Sequence, residues 1–161
     1  MTDGVLVVGY GNPLRTDDGV GWRAAEAVAT DPRLATTTIV TSHQLLPEHA
    51  FDVSHARLVV LIDARVGQPA GSIVVEEVEP AASAGTAWSH HLGPASLAAL
   101  ARELFGRVPP VFTVGVGVSS MEVGERLTGE VERAIPGVVD AVAGIVAAAA
   151  SAGLPAEAGN A

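Results

Sequence analysis

The chain has 161 residues, 48% apolar but only 4% aromatic, with eighteen acids against nine bases and no cysteine. That length fits one domain, expected over 1–150, whose single core is built from Val, Ala and Leu. A formal net charge of −9 argues against nucleic acid or an anionic membrane surface as the main partner, and the missing cysteine excludes disulfides, thiolate metal sites and cysteine nucleophiles.

The first element is an apolar run, Val5 to Gly9, which reads as a strand covered on both faces as in a parallel sheet. Asn12-Pro13 forces a turn, and two adjacent acids, Asp17 and Asp18, precede a helical pattern over 19–29 in which Val20, Ala24, Ala25 and Val28 share a face. Asp17 is read as the N-cap of that helix, accepting from the N–H of Gly19 or Val20. This leaves Asp18 without a structural task. Residues 36–41, rich in β-branched side chains, form strand 2. His43 and Glu48 follow in a loop leading to a short helix over 47–54, where loop and helix-start chemistry accounts for both.

Leu58 to Ile62 is the next apolar run and ends in Asp63. The turn from Gly67 to Gly71 leaves no room for a crossover helix, so 72–78 is expected as an edge strand antiparallel to strand 3. A Ser/Gly/Ala loop over 80–88 leads to Ser89-His90-His91-Leu92-Gly93-Pro94 at the entrance of a third helix. Leu97, Leu100, Ala101, Leu104 and Phe105 form its apolar face, and Gly106 its stop. Val111 to Val118 is the last strand. Ser119 to Gly124, with Met121 and Glu122, is a structural turn or the rim of a groove. Thr128 can cap a final helix that Pro136-Gly137 should kink or split. Residues 151–161 are expected to form a flexible tail.

The order of elements predicts an α/β three-layer sandwich: a mostly parallel five-stranded sheet with one antiparallel edge strand and helices on both faces. With strand 1 between strands 2 and 3, the strand order reverses at the carboxyl ends of strands 1 and 3, where such sheets bind ligands. Asp18 and Asp63 both fall at that edge. Asp63 alone is also consistent with capping the following turn. His90 or His91 can fold over the same edge, although a single loop histidine needs no such role. Two carboxylates and an imidazole would suit a borderline divalent ion such as nickel, zinc or manganese.

Three blocks, Gly9-Tyr-Gly-Asn-Pro-Leu-Arg-Thr-Asp-Asp-Gly-Val-Gly21, Val60-Leu-Ile-Asp-Ala64 and His90-His-Leu-Gly-Pro94, together resemble the hydrogenase maturation endopeptidases. The resemblance runs in order over nearly the whole chain apart from the tail, and the first block is the most specific. It implies an endopeptidase that removes a C-terminal peptide from the precursor of a nickel–iron hydrogenase large subunit. It further implies Asp18, Asp63 and His90 as metal-binding and catalytic residues, with His91 as the alternative histidine. Some relatives carry Glu where this chain has Asp18, which reaches one methylene less far. The nickel is expected to arrive with the precursor, and other divalent ions to substitute in vitro.

Two other readings stand beside this one: a non-catalytic nickel or precursor chaperone on the same residues, and a nucleotide-binding module. Against the second, Leu14 stands where a third fingerprint glycine belongs, and Asp17 and Asp18 would repel phosphate. Met1-Thr-Asp-Gly4 leads into the first strand without a basic region or cleavage site, so no secretory leader is expected. Val138 to Ala150, interrupted by Asp140, is too short to span a bilayer. A cytoplasmic protein without membrane insertion is expected.

Overall fold

The computed structural model describes residues 4–85 and 92–153. Five strands form one sheet: β1 (Val5–Tyr10), β2 (Thr38–Ser42), β3 (Leu58–Arg65), β4 (Ile73–Glu77) and β5 (Val111–Gly117), in the order β2-β1-β3-β5-β4. Among the described residues only the β4–β5 pair is antiparallel. Four α-helices flank it: α1 (Val20–Thr30), α2 (His49–His55), α3 (Pro94–Phe105) and α4 (Gly129–Ser151). This is the predicted α/β architecture.

Strand alternation decides which residue serves which layer. Leu6 and Val8 of β1, with Val59 and Leu61 of β3, pack toward α2 and α3. Val7, Val60 and Ile62, together with Val114 and Val116, pack toward α1 and α4. Burying each such side chain contributes about 1.5–3 kcal/mol. Right-handed crossovers explain the layers: β1 to β2 steps to one side and β2 to β3 steps back across β1, so α1 and α2 land on opposite faces.

Three expectations need correction. The strand over 72–78 is an edge strand, but β4 pairs with β5 and not with β3. β3 is already bonded on both sides, to β1 and β5. The connection over 66–72 exceeds the roughly two to five residues of a tight hairpin, long enough to step over one intervening strand. The final helix is also not split, since α4 runs unbroken with Pro136 inside it. Pro136 is exposed, so the carbonyl that its missing N–H leaves free can face water, while Val131 and Val138 on either side are fully buried. Third, the apolar tract belongs to a longer element: α4 has 23 residues, with a mean hydropathy of 1.8 over an 18-residue stretch, long and apolar enough to cross a membrane by length and composition. Its Val131, Val138 and Val142 are buried in the core against α1 and the sheet.

Gly106 stops α3 in the left-handed conformation, φ 73°, as expected. Residues 154–161, most of the expected tail, lie outside the described residues.

Candidate functional site

The site is built from the carboxyl ends of β1 and β3, adjacent parallel strands at the point where the strand order reverses. After Tyr10 the chain doubles back through Gly11, whose φ of +137° suits glycine alone. A β-carbon there would stand 2.0 Å from the Asp18 carbonyl oxygen. Gly11 thus lets the acid pair fold down onto the strand end. A 3-10 turn over Thr16–Gly19 carries both acids.

The two neighbours have opposite fates. Asp17 is fully buried. Its Oδ2 accepts from the N–H groups of Ser119 (2.9 Å) and Ser120 (3.0 Å), and its Oδ1 from the Thr128 N–H (2.8 Å). The Thr128 hydroxyl lies 3.0 Å from Oδ1 and 2.8 Å from Oδ2. Burial raises the carboxyl pKa, but the bonds from Thr128, Ser120 and Ser119 outweigh it, and the group lies below its ordinary value. Asp17 is therefore structural, though not as the helix cap expected: neither the 3-10 turn nor α1 has a side-chain cap. The β5–α4 loop supplies more donors than its own helix could. Thr128, at the N-cap position of α4, likewise makes no cap bond and turns its hydroxyl to Asp17.

Asp18 is partly exposed, and its Oδ2 accepts from the Asn12 N–H at 2.9 Å. That bond takes a backbone donor that a phosphate cradle would need, which weighs further against nucleotide binding. Asp63 lies within β3, which continues to Arg65, beyond the expected end of strand 3. Its Oδ2 accepts from the Tyr10 hydroxyl at 2.9 Å and its Oδ1 from the Arg65 Nε at 3.1 Å. Burial pushes the Asp63 carboxyl above its ordinary pKa, against the opposing pull of the Arg65 charge and the Tyr10 bond. Burial, and then the Asp63 charge, hold the Tyr10 phenol protonated as the donor. Tyr10 and Arg65 were not anticipated; Tyr10, as the β1 residue after Gly9, aligns across the ladder with Asp63, and Arg65, two residues on, shares its sheet face.

His90 and His91 lie outside the described residues. Among the described residues no three His, Asp or Glu side chains form a group that could hold a metal. Asp18 and Asp63 offer hard oxygen donors with lone pairs left over after the bonds above, a donor set compatible with a divalent ion.

Of the remaining candidates, His43 is exposed and packs edge-on against Trp22, with centroids 5.6 Å apart. Glu48 occupies the N-cap position of α2 without a cap bond. His49, which the sequence reading passed over, is buried and accepts from the Leu46 N–H at 2.9 Å. Burial lowers its pKa, against the charges of Glu48 and Asp52. It shapes the loop before α2. The segment 119–124 is zipped to 14–17: Thr16 N–H donates to the Gly124 carbonyl (2.9 Å), its hydroxyl to the Glu122 carbonyl (2.6 Å), and Arg15 Nε to the Met121 carbonyl (3.1 Å).

No protein-family model matches the chain, and no curated protein sequence matches it significantly. Solved structures do. The solution structure of an endopeptidase from Escherichia coli superposes with a TM-score of 0.71 at 27% identity, covering 95% of this chain and 94% of that one. The hydrogenase-maturating endopeptidase HybD from E. coli gives 0.66 at 24%, with the same coverage of both chains. The [NiFe] hydrogenase maturation protease HybD from Thermococcus kodakarensis gives 0.65 at 18%, over 91% and 99%. The chain has the fold of the hydrogenase maturation endopeptidases, the family that its three sequence blocks resemble.

Proposed function

We propose that this protein is an endopeptidase that removes the C-terminal peptide from a nickel-loaded hydrogenase large-subunit precursor. The observation that carries this reading is Asp63 toward the carboxyl end of β3 with Asp18 on the 3-10 turn that follows the adjacent β1, on a fold shared with structures named as hydrogenase maturation proteases. A crevice at such a strand reversal is where sheets of this kind bind ligands. Asp18 and Asp63, with His90 or His91 as the nitrogen donor, would complete the coordination of nickel carried by the precursor. A carboxylate free of the ion could accept a proton from water as it adds to the scissile carbonyl, leaving a new carboxyl terminus and a released peptide amine. We place this activity in the cytoplasm, in keeping with a chain free of cysteine.

The test is mass spectrometry of the cognate precursor incubated with this protein, with and without nickel. Peptide release is expected only from nickel-loaded precursor. Asp18→Ala or Asp63→Ala should slow it by about 10²–10⁴-fold, with thermal melts showing both variants folded. Wild-type rates in both variants would remove this assignment of the site. Nickel-dependent complex formation without any peptide release would identify a chaperone instead.

A further inference from the structure

The Asp63 carboxylate already has a cation. Arg65 lies flat across the sheet: its Nε donates to Asp63 Oδ1 (3.1 Å), one terminal nitrogen donates to Thr113 Oγ1 (3.1 Å), and the other stands 3.8 Å from Glu76 Oε1. The space it occupies is left by Gly115, the register partner of Asp63 on β5; a β-carbon there would come within 2.5 Å of Arg65 Cγ. Side-chain exposure rises outward along this chain of groups, from 17% at Asp63 through 30% at Arg65 to 56% at Glu76. The guanidinium thus sits between a sheltered acid and an open one. It touches the open acid at ion-pair range without a hydrogen bond.

We propose that Arg65 is a displaceable internal counter-cation that withholds Asp63 from free metal ions and releases it to the ion carried by a docked precursor, moving toward Glu76 as it does so. This rests on the reading of Asp63 as a metal ligand. A sheltered carboxylate without a counter-charge would attract any divalent cation in solution, because its own desolvation is left uncompensated. With Arg65 in place an incoming ion must replace one full charge and one hydrogen bond. A solitary hydrated ion gains little by that exchange, whereas an ion already held by other ligands at a docked surface gains a complete coordination shell. Glu76 gives the guanidinium a second anion to move to, so release does not strand a positive charge.

The test is isothermal titration of the purified protein with nickel chloride, alongside precursor cleavage. Arg65→Gln should raise the affinity for free nickel at least about tenfold, and reduce the rate ratio between nickel-loaded precursor and nickel-free precursor supplied with free nickel. Glu76→Gln, at an exposed position, should do the reverse on affinity and slow cleavage of loaded precursor, and it keeps the test open should Arg65→Gln fail to fold. Unchanged or weaker nickel affinity in Arg65→Gln, while Asp63→Asn in that background still abolishes binding, would overturn the role of Arg65 and leave the ligand reading standing. Binding indifferent to Asp63→Asn would overturn both.

Discussion

Asp17 and Asp18 are one peptide bond apart, yet Asp17 is fully buried and Asp18 is partly exposed. The inward acid is ionised within a set of donors from the β5–α4 loop, and removing it leaves three backbone N–H groups without their acceptor. Asp17→Ala should cost roughly 3 kcal/mol or more, read as a lower urea midpoint at neutral pH, whereas Asp18→Ala should leave that midpoint nearly unchanged. Because the folded Asp17 pKa is depressed, its contribution is present above the unfolded value of about 3.9 and is lost as pH falls through the folded value. Wild type and Asp17→Asn should therefore begin to converge in stability as pH falls below about 4, measured by urea midpoints between pH 7 and pH 3. The sequence makes it legible that two acids at one turn exceed what a cap requires. Which one turns inward is decided by Ser119, Ser120 and Thr128, more than a hundred residues away, so the choice is not legible locally.

At the scale of elements, apolar runs and helix periodicity mark every strand and helix in order. Partnership is another matter. That β4 belongs beside β5 depends on β5 arriving between it and β3, which no pattern within 72–78 encodes. Pro136 likewise predicts a kinked or split helix from local chemistry, and the helix is not split, with Val131 and Val138 buried on either side of it. The β1–α1 turn is the element on which the site depends most directly. Gly11→Ala would force a side chain into a left-handed backbone conformation and against the Asp18 carbonyl. A cost of about 1–3 kcal/mol from the dihedral alone is expected, visible as a lower melting temperature. On the proposed function, cleavage of precursor should fall further than the melt implies, because the Asp18 carboxylate is displaced along with the backbone.

For the whole molecule, the reading of a protein substrate directs attention to the rim around the acids. Leu14 is 54% exposed and Val123 91% exposed, and the Gly124 N–H donates to the Leu14 carbonyl at 2.9 Å, so two open apolar side chains are carried on zipped segments next to the site. Leu14→Ser combined with Val123→Ser should raise KM for the precursor severalfold with little change in kcat or melting temperature. An unchanged KM would place docking elsewhere. The three-layer architecture and the edge on which the acids lie were legible because alternating strands and helices with right-handed crossovers allow few topologies. The Tyr10–Asp63 contact was not, since it arises from register between strands distant in sequence.

The Asp17 junction also bears on time. Its acceptor bonds reach residues 102, 103 and 111 positions further along the chain. Contacts of such sequence separation carry a large loop-closure cost, and the junction is expected to form late in folding, after β1 and β5 have joined β3. An interaction absent from the transition state governs the unfolding rate and leaves the refolding rate alone. Stopped-flow measurements on Asp17→Asn should show faster unfolding with an unchanged refolding limb. One buried acid would then set the lifetime of the folded state as well as its stability.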